Sequence, residues 1–353
     1  MFIKGESMKK KSIIFLISII ILLNFISCQR NAKEVGMAIY NMNDPYINTF
    51  TKQIEILSEG FFNISSYNAK NSQILQNENI EEMIDEKSDL LIINPVDRLG
   101  VYPIIRRLKN EDIPVIFFNR EPLLADLNLW EKSYYVGARA EQSGQLQAEL
   151  VMTLFGNDPN NLNEFDKNGD NRIQAVILKG EQGHQDAELR TTELVRAFKV
   201  NGFYLDILLI KVANWNRDQA FEKMEHILIE YGDQIETIMS NNDAMAIGAI
   251  KQMRKQGWFN DTNLNGRIDP EDEKWIPVVG IDGIEEAVAD IKKGYLYGTV
   301  LNDSREQAQA IVELSQVLLG IRDMSSLHFP LVDRKYIWIE YKVFLLDKPS
   351  EKM

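Results

Sequence analysis

The chain lacks the features on which many enzymes and disulfide-linked proteins depend. It contains one cysteine, Cys28, among 353 residues, so it cannot form an intrachain disulfide. No serine lies in a nucleophile elbow, no cysteine has a catalytic setting, and no Gly-rich phosphate loop is present. These absences argue against an enzyme of the corresponding classes.

Basic residues are also in deficit. The chain has 39 Lys and Arg residues but 52 Asp and Glu residues, which gives a formal charge of −13 at pH 7. Residues 1–27 hold four Lys and one Glu, so their removal would leave 35 basic and 51 acidic residues and a charge of −16. Such a surface is unsuited to nucleic acid, and we expect no nucleic-acid partner.

Long apolar runs are confined to the start of the chain. Three lysines at 9–11 precede the apolar segment 13–26, and Ser27 and Cys28 follow it. A basic segment, a short apolar stretch and a small residue before a cleavage point are typical of a secretory signal. We therefore expect a signal peptide over 1–27 and lipidation of Cys28, which would anchor the protein on the periplasmic side of the cell envelope. An uncleaved anchor and a plain signal peptide are the alternatives.

The rest of the chain alternates between short apolar runs and amphipathic segments. A length of 353 residues fits two lobes of about 150 residues each. The alternation predicts an α/β fold, with parallel sheets covered by helices on both faces. The expected strands are 35–40, 90–94, 115–118, 175–178, 207–211, 237–240 and 278–282, and the expected helices include 47–58, 192–201, 219–231 and 284–293.

One loop has the spacing of a calcium-binding loop. Oxygen-bearing side chains fall at loop positions 1, 3, 5 and 9, and position 7 would use a backbone carbonyl. Position 12 is Ile177, inside an apolar run, so the last carboxylate must come from elsewhere in the fold. This pattern indicates a structural ion rather than a calcium switch. The residues are Asp166, Asn168, Asp170, Arg172 (carbonyl) and Gln174.

A second loop follows the twelve-residue calcium pattern more fully. It has Gly266 at position 6, an aliphatic residue at position 8 and the carboxylate of Asp272 at position 12. Asp is shorter than the usual Glu, which weakens binding or favours Mg²⁺. We expect a second metal ion here; a solvated acidic loop is the alternative. The proposed ligands are Asp261, Asn263, Asn265, Arg267 (carbonyl) and Asp272.

Polar and aromatic side chains follow the ends of the expected strands. In open parallel sheets, ligands bind beyond the carboxyl ends of the strands. Sugar hydroxyls both donate and accept hydrogen bonds, so Asp as acceptor, Arg as donor and Asn as both suit them, and flat aromatic faces can cover the C–H faces of a pyranose ring. The segments are 40–46, 117–121, 180–190, 213–215, 240–243, 280–283 and 300–303. Within 240–243, we assign Asn242 to the ligand and Asp243 to a helix cap.

With these segments in view, the chain resembles the bacterial periplasmic galactose/glucose-binding proteins, the substrate receptors of sugar ABC importers. The resemblance covers about residues 35–341. It rests on VIFFNREP (115–122), YYVG (134–137), DKNGDNRIQ (166–174), LKGEQGHQDAELRTT (178–192), SNNDAMAIGA (240–249), VVGIDG (278–283) and GTVLND (298–303).

The resemblance implies the type I periplasmic binding protein fold: two doubly wound α/β lobes joined by three crossover segments. The implied boundaries are a linker at 28–33, an N-terminal lobe at 34–141 plus 302–337, and a C-terminal lobe at 142–301 plus 338–353. It also implies that Glu236 is the distant calcium ligand missing at Ile177.

For the sugar site, the resemblance implies that Tyr46 and Trp215 sandwich the ring. The residues implied to hydrogen-bond its hydroxyls are Asp44, Asn119, His184, Asp186, Arg190, Asn242, Asp282 and Asn302. The expected protein is a monomeric, non-enzymatic receptor for D-glucose and/or D-galactose. An ABC permease is its implied partner, and a chemoreceptor is a second candidate.

Three alternatives stay open. A receptor for another small sugar, such as a pentose, is the nearest. A glycoside-active enzyme could use His184, Asp186 and Glu188, since paired carboxylates suit glycoside hydrolysis. A transcription regulator on the same two-lobe fold would need an N-terminal DNA-binding domain where this chain has a signal sequence.

Overall fold

The computed structural model describes residues 33–272 and 274–346, and these residues form two α/β lobes. The predicted signal peptide and lipidation site at Cys28 lie outside the described residues. No helix in the described part of the chain is long and apolar enough to cross a membrane.

The N-terminal lobe is built on a six-stranded sheet in the order β11-β5-β4-β3-β1-β2, with every neighbouring pair parallel. Its strands are β1 (Glu34–Ile39), β2 (Asn63–Asn68), β3 (Leu90–Ile93), β4 (Val115–Phe118), β5 (Ser133–Gly137) and β11 (Tyr336–Trp338). Its helices are α1 (Pro45–Ser58), α2 (Gln73–Asp85), α3 (Val101–Glu111), α4 (Leu124–Leu127) and α10 (Ser304–Leu318).

The C-terminal lobe has a second six-stranded sheet in the order β12-β10-β9-β8-β6-β7. Its strands are β6 (Ile173–Lys179), β7 (Leu205–Val212), β8 (Thr237–Ser240), β9 (Val278–Asp282), β10 (Gly298–Leu301) and β12 (Lys342–Leu345). Its helices are α5 (Ala140–Leu154), α6 (Gln185–Val200), α7 (Arg217–Tyr231), α8 (Asp243–Lys255) and α9 (Glu285–Lys293). Only β12 pairs antiparallel within this sheet.

Alternate residues of the central strands enter separate cores, which explains why these strands are apolar throughout. In β6, Val176 and Leu178 join a core under α7, α8 and α9, whereas Ala175 and Ile177 join a core under α5 and α6. In β3 of the N-terminal lobe, Leu90 likewise belongs to one core and Leu91 to the core on the opposite face of the sheet. Each sheet is therefore covered by helices on both faces.

The chain passes between the lobes three times: after β5, between β10 and α10, and between β11 and β12. These passages, the doubly wound sheets and the helical layers are those of the type I periplasmic binding protein fold, so the predicted fold class is confirmed. Within each sheet, the strand order reverses next to its first strand, β1 or β6. Ligands bind at such a switch point in this class of sheet.

Candidate functional site

A cavity lies between the lobes, at the carboxyl ends of their strands. Nine of the ten residues that the sequence analysis assigned to sugar line it, namely Asp44, Tyr46, Asn119, His184, Asp186, Arg190, Trp215, Asn242 and Asp282. The tenth, Asn302, is buried beside this cavity and accepts a hydrogen bond at 2.5 Å from Gln307, which also donates to the Tyr46 hydroxyl at 3.1 Å.

Asp44 is held in place by helix α1, whose N-terminus it caps. Its Oδ1 accepts the backbone N–H groups of Tyr46 at 2.9 Å and Ile47 at 3.2 Å. Its Oδ2 accepts the hydroxyl of Tyr40 at 2.5 Å. A carboxylate has about four acceptor positions, so this fixed group can still accept from a ligand.

His184 caps the N-terminus of helix α6, as Asp44 caps that of α1. Its Nδ1 accepts the backbone N–H of Asp186 at 3.1 Å, which places the remaining ring proton on Nε2. Burial, together with the positive charges of Arg120 and Arg190, lowers the pKa of His184 to about 3. The imidazole is therefore neutral at physiological pH and presents Nε2 as a donor.

Arg190 lies at the centre of the C-terminal wall. Its guanidinium donates to the Asn241 carbonyl at 2.5 Å and to the Tyr341 hydroxyl at 3.2 Å, and it lies 3.6 Å from Asp282 and 3.9 Å from Asp186. The Nε of Arg190 is buried and has no hydrogen-bond partner. A buried donor without a partner is costly, and a ligand acceptor beside this atom would offset that cost.

The carboxyl groups of the cavity are desolvated. Burial raises the pKa of Asp186, and it raises the pKa of Asp282 well above the usual value, although Arg190 opposes both shifts. Hydrogen-bond donors from a bound molecule would replace the water that these carboxylates have lost.

Several site residues adopt backbone conformations that non-glycine residues rarely use. The φ angles are 61° at Asn119, 61° at Trp215 and 126° at Asp282. Such conformations cost of order 1–3 kcal/mol each, and they cluster at functional sites. The indole of Trp215 also packs so closely on Gly180 that a Cβ there would lie 2.3 Å from the ring. The ring's position therefore requires glycine at 180.

Three residues that line the cavity, Tyr40, Ile47 and Arg120, were not assigned to the ligand by the sequence analysis. Tyr40 and Arg120 both line it, and the guanidinium of Arg120 lies 4.0 Å from the centre of the Tyr40 ring. Each directly follows an apolar strand, at the end of β1 or next to Asn119. Both lie within the strand-end segments 40–46 and 117–121 that the sequence analysis named, although it assigned neither residue to the ligand.

The interpretation of Asp243 as a helix cap was wrong. The cap of α8 is Asn242, whose Oδ1 accepts the backbone N–H of Met245 at 3.0 Å. Asp243 is the first residue of the helix and is fully buried. Asn242 remains in the cavity wall, and its Nδ2 donates to the Trp215 carbonyl at 3.3 Å.

The residues of the first predicted metal loop also lie together. Asp166, Asn168 and Asp170 each accept backbone N–H groups from within the loop. Glu236, which precedes β8, is 2% exposed and accepts the N–H groups of Lys167 at 2.6 Å and Gln174 at 3.2 Å. The side chain of Glu236 thus reaches the loop from the adjacent strand.

The second predicted metal loop has the same hydrogen-bond pattern. Asp272 accepts the N–H groups of Thr262 at 2.6 Å and Asp269 at 3.0 Å, which are positions 2 and 9 of the loop. Asp261, Asn263 and Asn265 accept N–H groups of positions 5, 6 and 7. This loop lies on the surface of the C-terminal lobe and contributes no residue to the inter-lobe cavity.

Comparisons with known proteins agree with this architecture. A family model described as a periplasmic binding protein domain matches residues 35–321. The D-galactose/methyl-galactoside binding periplasmic protein MglB of Haemophilus influenzae is 32% identical over 315 residues, which cover 88% of this chain and 89% of that protein. The D-xylose-binding periplasmic protein of Escherichia coli is 24% identical, with 74% of each chain covered.

Solved structures show the same fold. An ABC transporter solute binding protein from Bacillus halodurans with bound myo-inositol has a TM-score of 0.70 and 24% identity, covering 90% of this chain and 96% of that one. A periplasmic solute binding protein from Actinobacillus succinogenes with bound D-allose has a TM-score of 0.72 and 20% identity, covering 89% and 97%. From the family model and the 32% identical relative, the chain belongs to the periplasmic binding protein family.

Proposed function

We propose that the protein is the sugar-binding component of an ABC importer and that it binds D-glucose and/or D-galactose between its lobes. The observation that supports this most is the composition of the inter-lobe cavity. Three carboxylates, two amides, two arginines and a neutral histidine donor meet around three aromatic side chains. The 32% identical relative is named as a D-galactose/methyl-galactoside binding protein, which favours a hexose.

The cavity chemistry fits a neutral polyol ring. Asp44, Asp186 and Asp282 are acceptors for hydroxyl protons, whereas His184 Nε2 and Arg190 Nε are donors for hydroxyl oxygens. Tyr46 and Trp215 belong to different lobes, so their faces can cover the two sides of a pyranose when the lobes close. A wrong epimer would leave buried polar groups unpaired, which is the physical basis of selectivity.

Calorimetric titration of a hexose and pentose panel tests the proposal. We expect micromolar or tighter binding of glucose or galactose, and we expect Asp186→Ala to weaken it about 100-fold, because a buried charged acceptor is lost. Asp218→Ala, an exposed carboxylate on helix α7, is the matched control and should bind as wild type.

Other outcomes of the titration, or activity in a glycosidase assay, would contradict the hexose assignment. Tight binding of a pentose without hexose binding would favour the pentose receptor. Turnover of a nitrophenyl glycoside would favour the enzyme. If neither hexose bound, or if Asp186→Ala bound like wild type, the proposed site would be wrong.

We also propose a structural calcium ion in the first loop. The buried Oε1 of Gln174 has no hydrogen-bond partner, which supports a cation in its vicinity. Among residues 33–272 and 274–346, no group of three or more His, Cys, Asp or Glu is arranged to hold a metal by itself. The ion would therefore need amide and backbone oxygens as well, from Asn168, Gln174 and the carbonyl of Arg172.

A second metal ion in the loop from Asp261 to Asp272 is a separate proposal. The support is that Asp272 occupies the same place relative to its loop as Glu236 does relative to the first loop, with the same two amides bound. Neither loop lies in the sugar site, so we expect both ions to affect stability rather than sugar chemistry.

Lipidation of Cys28 is a further proposal, supported by the sequence alone. Expression in a bacterial host with a labelled fatty acid should give a labelled, membrane-associated protein. Cys28→Ala should remove the label and release the protein into the periplasmic fraction. A soluble, unlabelled wild type would favour a plain signal peptide.

A further inference from the structure

Asp243 does not line the inter-lobe cavity, yet its carboxylate is fully buried directly behind it. Its Oδ2 accepts the backbone N–H groups of Gly283 at 2.7 Å and Ile284 at 3.1 Å. Its Oδ1 accepts the hydroxyl of Thr299, on β10, at 2.7 Å. One side chain thus joins α8 to the end of β9 and to β10.

The segment that Asp243 holds is the turn that carries Asp282. The φ angles are 126° at Asp282 and 73° at Gly283, so the chain leaves β9 in a left-handed turn. A non-glycine residue keeps such a conformation only where its surroundings fix it. The next two amides, at 283 and 284, are both bound by Asp243, and these contacts fix the turn.

The turn also connects to other residues of the site. The backbone carbonyl of Asp282 accepts the N–H of Asn302 at 3.0 Å, and its carboxylate lies 3.6 Å from Arg190. Asn242, in the cavity wall, directly precedes Asp243. At Gly280, a Cβ would lie 2.0 Å from Asp243 Oδ1, so the close approach of this carboxylate to β9 requires glycine there.

We propose that Asp243 is a positioning residue for ligand binding: it holds the Asp282–Gly283 turn so that the Asp282 carboxylate faces the inter-lobe cavity. This inference rests on the proposed function, because the ligand that Asp282 meets is a sugar hydroxyl. Asp243 itself touches no ligand. Its loss therefore acts on binding through Asp282.

Substitutions at Asp243 separate positioning from folding. In Asp243→Asn, the amide oxygen can accept the two N–H groups and the amide nitrogen can donate to the Thr299 oxygen, so we expect hexose affinity within about threefold of wild type. Asp243→Ala removes all three contacts and should weaken binding about 30-fold. Thr299→Val removes one contact and should weaken binding about threefold.

Thr237→Val is the matched control for Thr299→Val. Thr237 is also fully buried in this sheet, and its hydroxyl donates to the Pro277 carbonyl at 3.3 Å, away from the cavity. We expect this variant to lose thermal stability as Thr299→Val does, but to keep wild-type affinity. A merely structural role for Asp243 predicts that both threonine variants bind like wild type.

A double-mutant cycle gives the decisive measurement. If Asp243 acts through Asp282, then Asp282→Ala and the double variant Asp243→Ala/Asp282→Ala should bind hexose with the same affinity, within about twofold. Additive losses, or wild-type affinity in folded Asp243→Ala, would overturn the inference. Should Asp243→Ala fail to fold, the threonine pair and Asp243→Asn still decide the question. Wild-type protein that binds no sugar contradicts the proposed function instead.

Discussion

At the scale of single residues, the inter-lobe cavity combines acceptors and donors whose protonation states are set by burial. The pKa of His184 is lowered to about 3, so its donor at Nε2 persists at all pH values near neutrality. The pKa values of Asp186 and Asp282 are raised by burial, so these carboxyl groups bind protons more readily than exposed ones. Acidification therefore affects the acceptors first.

We predict that sugar affinity falls as the pH is lowered from neutral to mildly acidic values. A bound hydroxyl that donates to Asp186 or Asp282 favours the ionised carboxyl group, so binding is strongest above the raised pKa values and is lost as the pH falls through them. Arg190 faces both groups and opposes protonation, and Asp44 adds repulsion at Asp282. His184 contributes nothing in this range because it stays neutral.

Titration at several pH values measures this dependence. Asp282→Asn is the appropriate variant, because it keeps the shape of the side chain and removes one titrating group, so its affinity should change less with pH. Burial also raises the pKa of Asp243, to about 7, but protonated Asp243 can donate to the Thr299 oxygen and keep both amide contacts. Affinity that rises on acidification would contradict the prediction.

The strand-end argument located the segments that hold nine of the cavity residues, because the carboxyl ends of parallel strands meet at one edge, and the family resemblance implied which residues within them meet the ligand. The role of Asp243 could not be predicted from its place after a strand. Its partners Gly283, Ile284 and Thr299 lie 40 to 56 residues further along the chain, and only the order of β8, β9 and β10 brings them together. Local capping preference instead favoured the wrong interpretation.

At the scale of elements, the first metal loop connects two strands. Glu236 precedes β8 and Gln174 lies in β6, and the backbone N–H of Glu236 donates to the Gln174 carbonyl at 2.9 Å. Burial raises the pKa of Glu236, and a cation beside it would offset this cost. An ion here would therefore fasten the loop to the lobe from which His184 and Asn242 project.

We predict that calcium raises the melting temperature of the wild type by several degrees and that Glu236→Gln removes the part of this shift that the first loop contributes. A calcium concentration of about 100 times the dissociation constant raises the free energy of unfolding by about 2.7 kcal/mol when the ion binds only the folded state. Differential scanning calorimetry with calcium and with a chelator measures the effect. A wild type that melts at the same temperature in both conditions would exclude a structural ion of this strength.

Asp272→Asn distinguishes the second loop from the first. If both loops bind calcium, each single variant loses part of the calcium-dependent stabilisation and the double variant loses nearly all of it, because the loops are separate sites. Direct counting of bound calcium by calorimetry should then give two ions per wild-type chain and one per single variant. One ion in wild type and in Asp272→Asn would leave the second loop as a solvated surface turn.

The close packing of Gly180, the residue directly after β6, against Trp215 gives another prediction at this scale. Gly180→Ala would place a methyl group inside the indole, so the ring must move and the aromatic cover of the cavity is lost. We expect hexose affinity to fall about tenfold or more, with a shift in tryptophan fluorescence. Gly183→Ala is a useful comparison, because no atom lies within 4 Å of its Cβ position, although its φ of 82° adds backbone strain. Equal effects of the two variants would argue against a role for the indole.

At the scale of the whole molecule, the lobes also touch outside the cavity. Gln185, on helix α6, donates to Glu121 of the other lobe at 3.1 Å, and Arg120 lies 3.8 Å from Glu181. Ile284 packs against the cores of both lobes. These contacts join the two lobes, so they contribute to affinity only to the extent that binding brings the lobes together.

We predict that Gln185→Ala weakens sugar binding about three- to tenfold, chiefly through faster dissociation, since the contact stabilises the closed state. Gln145→Ala is its matched control. Gln145 makes the same kind of bond, to Glu193 at 2.9 Å, but entirely within the C-terminal lobe. Stopped-flow tryptophan fluorescence measures both dissociation rates. Equal rates for the two variants would show that the inter-lobe bond does not stabilise the bound form.

The shared strand order of the two sheets has a consequence for the orientation of the ligand. β1 and β6 occupy equivalent places, and the helices that follow them are capped by Asp44 and His184. The lobes thus form a pseudo-twofold cage, yet the related positions carry an anionic acceptor on one side and a neutral donor on the other. A sugar hydroxyl would donate to the Asp44 carboxylate and accept from His184 Nε2, so the two ends of a bound sugar would meet different partners, and this asymmetry favours one orientation over its reverse.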